Sequence, residues 1–375
     1  MEKLQVNSTA VEDRIASALA AATPPMPKVC RPIVMIGAGG IARDAHLPAY
    51  RKAAFPVAAL VDADGDKAAS LASRFHVPLA TRSIEEALRQ SPRESIFDVA
   101  VPAAALLEVL HAIPAGSAVL LQKPMGESLS EAQAILALCR QKGLTAAMNF
   151  QLRYAPVMLA ARQLAEAQLL GTVHDMEVQV TVHTPWELWS FLRTAPRLEI
   201  LYHSIHYVDL IRAWFGDPAT VYAKTVRNLR TPELAATKTV MIFDYGDWQR
   251  VYLATNHGHA FGPEMQCSFV QWEGTEGVAR ATMGVNLNYP VGEPDSLMFV
   301  DAGKQWRTLP TVGDWFPDAF VGSMGSLQAY VDGVVSEMPN SVENAIGTMR
   351  VVEAAYMSSA RGGVSMQLPE INEES

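Results

Sequence analysis

Three groups of residues in this 375-residue chain could do chemistry. The first is Gly37-Ala38-Gly39-Gly40-Ile41-Ala42, a GxGxx(G/A) turn. Gly37 permits a tight turn, Gly39 lets the backbone approach a pyrophosphate with no Cβ in the way, and Ala42 is small enough for close helix–strand packing. The free N–H groups at the start of the following helix favour an anion. Asp62 ends the next apolar run, about twenty residues on, where an acid accepts hydrogen bonds from a ribose diol and repels a 2′-phosphate. No Arg follows closely in the run Asp62-Ala63-Asp64-Gly65-Asp66. A dinucleotide is therefore expected on Gly37, Gly39, Gly40, Ile41 and Asp62, with Pro102 beside them after the apolar run 97–101. NAD is favoured over NADP.

The second group is Lys123-Pro124, directly after the apolar run 118–122, and the third is Tyr202, His203, His206 and Asp209. Oxidising an alcohol by hydride transfer needs a group to take the hydroxyl proton and a positive group near the developing alkoxide. An imidazole titrates close to neutral pH and suits the first task. A lysine at the carboxyl edge of a parallel sheet suits the second, because ligands of such sheets bind there. Unaided, Lys123 reads more readily as a solvated strand end. Spacings of three and four put Tyr202, His203 and His206 near one helix face, and Asp209 near enough to orient His206. A polar helix edge explains that spacing as well. His203, His206 and Asp209 do not complete a metal ligand set, and no metal is expected.

Candidates for gripping a substrate are more scattered. Trp186 and Trp189 could stack on sugar C–H faces or pack in the core. Arg153, Arg193 and Arg197 could meet a carboxylate. Asn149 and Gln151 follow an apolar run and could reach nicotinamide or substrate. His257 and His259 flank Gly258 and read mainly as surface-turn residues.

The elements that must position these groups change in texture along the chain. Residues 31–150 alternate short apolar runs with helical stretches, at 41–54, 66–75, 83–90 and 128–142. Strands joined by helices pair in parallel, so this part reads as an α/β, doubly wound Rossmann sheet. Ser128 with Glu131 makes a capping-box pattern, and Gly143 stands where that helix would end. Beyond Gly171 the β-rich runs 173–184, 220–227, 239–245, 249–255 and 265–272 follow one another closely. Tyr245-Gly246-Asp247 reads as a hairpin turn between two of them. Helices are expected around 153–168, 200–215 and 344–360, giving an α+β domain on an open, mainly antiparallel sheet. The domain expectation is an arm over 1–30, an NAD-binding domain over 31–150 and a substrate-binding and oligomerisation domain over 151–375. The arm reads as a short helix or a loose segment, with crossing to a partner subunit as the alternative.

With these residues in place, the chain resembles the glucose–fructose oxidoreductase/inositol dehydrogenase/rhizopine catabolism (Gfo/Idh/MocA) family. The glycine turn followed by His46-Leu47-Pro48-Ala49 is similar to that family's opening. Gln122-Lys123-Pro124 stands at its Glu-Lys-Pro, and Phe150-Gln151-Leu152-Arg153-Tyr154-Ala155-Pro156 resembles its next signature. Tyr202-His203-Ser204-Ile205-His206 falls at its Asp-x-Gly-x-His, and the stretch from Ser341 to Pro369 resembles its closing helix. The resemblance covers about residues 31–369. It implies an NAD-dependent dehydrogenase of a sugar, polyol or sugar acid. Lys123 would then orient and polarise the hydroxyl, with His206 as general base and Tyr202 beside it. From their types and positions rather than from the resemblance, Gln151, Arg153, Trp186 and His203 are the residues expected to contact the substrate. It also implies a homo-oligomer, dimer or tetramer, formed on the outer sheet face.

Two departures stand out. Tyr202 replaces the family's acid, and Gln122 replaces the glutamate before the lysine. They leave two alternatives: a sugar-acid oxidoisomerase, in which oxidation is coupled to rearrangement, and a non-catalytic NAD-binding regulator.

Composition narrows the partners. Thirty Lys and Arg against 39 Asp and Glu give a net charge of −9, which argues against nucleic acid or an anionic membrane surface as the main partner. Three scattered cysteines support neither a disulfide framework nor a zinc site, so a reducing cytoplasm is the expected setting.

Overall fold

The computed structural model describes residues 8–289 and 291–371. The first sheet is built from β1 (Ile33–Ile36), β2 (Val57–Val61), β3 (Leu79–Thr81), β4 (Ile96–Val99), β5 (Ala118–Leu121) and β6 (Thr145–Met148). They lie in the order β3-β2-β1-β4-β5-β6, and all pairs are parallel. β1 and β4 are buried throughout, which is why these strands read as unbroken apolar runs rather than alternating ones. The crossovers carry α2 (Leu47–Lys52), α3 (Gly65–Phe75), α4 (Ile84–Gln90), α5 (Leu106–Ala112) and α6 (Leu129–Gln141). Ser128 caps α6 by accepting the Glu131 N–H, while Glu131 reaches one residue further back, to the N–H of Glu127.

The second sheet has nine strands. They are β7 (Val173–Thr181), β8 (Thr220–Val226), β9 (Lys238–Asp244), β10 (Arg250–Asn256), β11 (Cys267–Gly274), β12 (Gly277–Thr282), β13 (Ser296–Asp301), β14 (Arg307–Leu309) and β15 (Met366–Gln367). Their order is β14-β13-β12-β11-β7-β10-β9-β8-β15, antiparallel except where β7 meets β10. The fold is therefore the expected α/β combination of a Rossmann sheet and a mainly antiparallel one. One face is packed by α7 (Pro156–Glu166), α8 (Ile205–Phe215) and α10 (Val342–Ala360), with Trp214 of α8 stacked on Trp272 of β11. The opposite face leaves Tyr222, Val240 and Ile242 exposed.

Two parts go beyond the expectation. Strands β12 to β14 follow the last run read from sequence. A helix, α9 (Trp315–Val331), carries Pro317, Gly322 and Gly325, and these poor helix formers hide it. Both glycines are packing residues: a Cβ at Gly322 would lie 2.5 Å from Tyr154 Cβ, and one at Gly325 2.8 Å from the Pro25 carbonyl. Residues 1–7 of the expected arm lie outside the described residues. From Ser8 on, the chain forms α1 (Ser8–Ala21), which buries Ile15 and Ala18 and donates from Arg14 to the Ala167 carbonyl at 2.7 Å. The following segment runs along α9, with Lys28 and Arg31 donating their N–H groups to Asp332 and Gln328. This stretch thus packs on α7, α9 and the loop after α7 of its own chain. No helix among the described residues is long and apolar enough to cross a membrane.

Candidate active site

β1 runs straight into the glycine turn. Gly37 adopts φ +107°, and a Cβ there would meet the Ala100 carbonyl oxygen at 2.4 Å, so only glycine lets this turn pack beside the end of β4. A Cβ at Gly39 would meet nothing within 4 Å, because that side of the turn is open. Helix begins at Gly40 and passes through a π-turn, Ala42–His46, before α2. Ile41 lies in that first turn, and Pro102 is exposed at the carboxyl end of β4. Asp62 accepts the Ala38 N–H at 2.7 Å and the Asp64 N–H at 2.8 Å, so its carboxylate also clamps the glycine turn to the end of β2. The turn, the open space over Gly39 and the acid beside them fit the pyrophosphate and ribose of a dinucleotide.

Lys123 follows β5, and its Nζ crosses to the second sheet's helices to donate to the Tyr202 carbonyl at 2.6 Å. Burial lowers its amine from 10.5 to about 8. Gln122 explains its own departure from the family pattern. Its Oε1 accepts the Lys123 N–H at 2.9 Å, while its Nε2 lies 3.5 Å from His46 Nε2. The Asn149 amide nitrogen approaches the same imidazole nitrogen at 3.3 Å. With two NH2 groups facing it, His46 Nε2 must be the acceptor, so Nδ1 carries the proton and donates to Asp98 at 2.7 Å. Tyr50 donates to the same carboxylate oxygen at 2.6 Å. A glutamate at 122 would offer that imidazole nitrogen an acceptor in place of a donor.

The helix carrying Tyr202 and His203 also starts as a π-turn, Ile200–Ser204, before α8. The Tyr202 hydroxyl donates to Glu127 Oε1 at 2.8 Å, so the carboxylate missing at position 202 arrives from the loop after Lys123. His206 is buried, and its Nδ1 is sealed with no partner among the described residues, which leaves Nε2 as the ring nitrogen that is not sealed in. Burial, and then the nearby Lys123 ammonium, push His206 well below its ordinary value; His203 is lowered by burial, His257, Lys123 and His206. Both imidazoles are therefore neutral acceptors at neutral pH.

Behind His203 stands a buried pair that sequence reasoning missed. His257 Nε2 lies 3.4 Å from Glu199 Oε1, Thr184 Oγ1 is 2.9 Å from His257 Nδ1, and Ser204 donates to Glu199 at 2.5 Å. Burial alone would raise the Glu199 carboxyl, but His257 and the hydroxyls of Ser204 and Thr239 outweigh it and hold it below the usual range. His257 is thus a core residue, not the surface-turn histidine that Gly258 suggests. Trp186 is buried edge-on to His203 at 4.8 Å, while half-buried Trp189 and Tyr289 pair at 5.8 Å.

Other expected residues are placed differently. Arg153 commits Nε and Nη2 to Asp209, with Pro339 and Asn344 as further acceptors, so its guanidinium is held largely by the protein's own groups. Asp209 is held by that fork and by Thr348, and does not orient His206. Arg197 is paired with Glu353 at 2.6 Å. Gln151 is buried with Oε1 unpartnered. Among the described residues, no group of three or more His, Cys, Asp and Glu is placed to hold a metal.

Comparison with known proteins agrees with this architecture. Residues 31–150 match the model of the oxidoreductase family with an NAD-binding Rossmann fold, and residues 158–280 match the Gfo/Idh/MocA C-terminal domain. A D-apiose dehydrogenase of Paraburkholderia graminis is 23% identical over 354 residues, 91% of this chain and 90% of the relative. A D-xylose 1-dehydrogenase (NADP(+)) of Haloferax volcanii is 24% identical, covering 89% of this chain and 98% of the relative. The crystal structure of an Agrobacterium radiobacter oxidoreductase with NAD+, L-tartaric acid and magnesium superposes with TM-score 0.74 at 18% identity, over 91% of this chain and 99% of that one. With both of its parts matched, the chain belongs to the Gfo/Idh/MocA family of NAD-binding oxidoreductases.

Proposed function

We propose that this protein oxidises a hydroxyl group of a sugar, polyol or sugar acid, with NAD as the hydride acceptor. The observation that carries this reading is the meeting of two buried groups from different parts of the fold. Lys123 arrives from the end of β5 and His206 from α8, close enough for the Lys123 charge to bear on the imidazole. Sugar substrates are named for the relatives that act on D-apiose and D-xylose, and they support the same substrate class here.

Gly37, Gly39, Gly40, Ile41, Asp62 and Pro102 would hold the dinucleotide, whose nicotinamide supplies the hydride acceptor when bound. The Lys123 ammonium, already fixed by the Tyr202 carbonyl, donates to the substrate oxygen and stabilises charge developing there. Neutral His206 takes the hydroxyl proton at Nε2. The Tyr202 hydroxyl and Glu127 shape the rim beside Lys123, and Trp186, Trp189 and Tyr289 exclude water and offer flat faces to sugar C–H groups.

A second reading, oxidation coupled to rearrangement, is favoured by one feature. His203, backed by the Glu199–His257 pair, would supply the extra base that isomerisation requires. The exposed face of the nine-stranded sheet, with Tyr222, Val240 and Ile242, suits association into a dimer or tetramer. The test is a panel of aldoses, polyols and sugar acids offered with NAD or NADP, followed by NADH absorbance and product analysis. Oxidation of a panel member with its carbon skeleton retained supports the dehydrogenase; a rearranged skeleton selects the second reading. Tight NADH binding with no member oxidised contradicts both.

A further inference from the structure

We propose that Trp315 is a positioning residue for the base: its ring shuts His206 Nδ1 off from water, and Asp295 holds that ring in place. The inference rests on the reading that His206 takes the substrate proton, and it names what equips the imidazole for that task. His206 is buried, and its Nδ1 is sealed without a hydrogen-bond partner among the described residues, so apolar contact closes that nitrogen in. The ring packed against the imidazole is that of Trp315, edge-on at 87° with the centroids 5.6 Å apart. Trp315 is itself buried, and its indole N–H has no partner among the described residues either. The side chain therefore acts by its shape and not by a hydrogen bond. Trp315 and Asp295 both lie beyond residues 158–280, the part of this domain that the family model matches.

Asp295 places the ring. One of its carboxylate oxygens accepts the Trp315 N–H at 2.6 Å, and the other accepts the Gly284 N–H at 2.7 Å. The turn that opens at Gly284 carries Asn286, whose amide donates to the Tyr207 hydroxyl at 3.1 Å. One buried carboxylate thus fixes contacts on two successive residues of α8, Trp315 on His206 and Asn286 on Tyr207. A dry contact and a nearby cation both disfavour a proton on an imidazole. Burial does more than the Lys123 charge to lower His206. The other charged or titratable groups around it are His203, itself neutral, and the Arg153–Asp209 pair, whose charges cancel. Behind Trp315 stand Asp295, raised to about 6 by burial, with Asp314 and Asp318, the last paired with Lys52.

The test is a pH titration of the His206 ring, read by nitrogen chemical shifts of labelled histidine and assigned by its absence from His206→Gln. It is run on the native chain, Trp315→Phe and Trp315→Ala, with kcat/KM for an oxidised panel substrate measured over the same range. Following the ring itself keeps the titration of Asp295 out of the readout. The native ring is expected to stay neutral down to about pH 5.5. Trp315→Ala lets water reach Nδ1, so the ring should titrate near its ordinary value of about 6.5, and kcat/KM at pH 5.5 relative to pH 8 should fall about tenfold. Trp315→Phe keeps an aromatic edge and gives up no hydrogen bond, so its titration and pH profile should both stay native. Should Trp315→Ala fail to fold, Trp315→Leu carries the same expectation. An unmoved titration would overturn the assignment, even if turnover fell equally at every pH, since Trp315 would then be structural only. An equal rise in the Ala and Phe variants would overturn it too. A titration that moves while the pH profile does not would support the seal and contradict His206 as the base, so the two failures are distinguishable.

Discussion

Replacing Lys123 with methionine should make the stability of this protein less dependent on alkaline pH. The Lys123 amine is lowered from 10.5 to about 8 because its charged form is taken out of water. At about 1.4 kcal/mol for each tenfold change in proton affinity, holding that charge costs the native state about 3 kcal/mol at neutral pH. Since Lys123 keeps some solvent contact at the pocket, about 2 kcal/mol is the better figure. The sign follows from proton counting. Between about pH 8 and 10.5 the unfolded chain binds a proton at Lys123 that the folded chain does not, so native stability rises with pH through that window. Methionine has no such dependence. Losing the bond to the Tyr202 carbonyl and changing the packing add a constant to the difference, and this constant does not titrate. Urea unfolding of both proteins at pH 7 and pH 10.5 should show the variant's relative stability falling by about 2 kcal/mol at the higher pH. A difference equal at both pH values, within about 0.5 kcal/mol, would refute the claim that Lys123 is a desolvated cation.

Other expectations test the parts that hold the site. Asp209→Ala leaves the buried Arg153 guanidinium without its main partner and should cost about 3–5 kcal/mol in urea unfolding; a loss below about 1 kcal/mol would show that the fork is not structural. Gly37→Ala drives a Cβ into the Ala100 carbonyl at positive φ, so NADH affinity and the melting temperature should both fall, whereas Gly39→Ala should lower affinity alone. Gln122→Glu replaces the NH2 donor facing His46 Nε2 with a carboxylate, and nitrogen chemical shifts of labelled histidine should show Nε2 changing from acceptor to donor. An unchanged spectrum would mean that residue 122 does not face His46.

The parts legible in the sequence are those set by local rules. The glycine turn, Asp62 and the short apolar strands follow from chain-local geometry, and the cap on α6 follows from Ser128 and Glu131. The opaque parts depend on residues that meet only in three dimensions. Tyr202 looks like a lost carboxylate until Glu127, 75 residues away, is seen to accept its hydroxyl. Gln122 looks like a lost charge until it faces His46, 76 residues away. Arg153 reads as a free cation because its acceptor, Asp209, lies 56 residues on. Helix α9 is hidden for a different reason: its glycines serve close packing against the N-terminal segment and Tyr154, at the expense of helix propensity.

The most direct test of the proposed chemistry is His206→Gln, assayed side by side for NADH affinity and for turnover of a panel substrate that the native enzyme oxidises. General base catalysis contributes about 100- to 10,000-fold. The variant is therefore expected to lose at least about 100-fold in kcat while its NADH dissociation constant stays within threefold of native. Turnover within about fivefold of native would contradict the assignment of His206 as the proton acceptor.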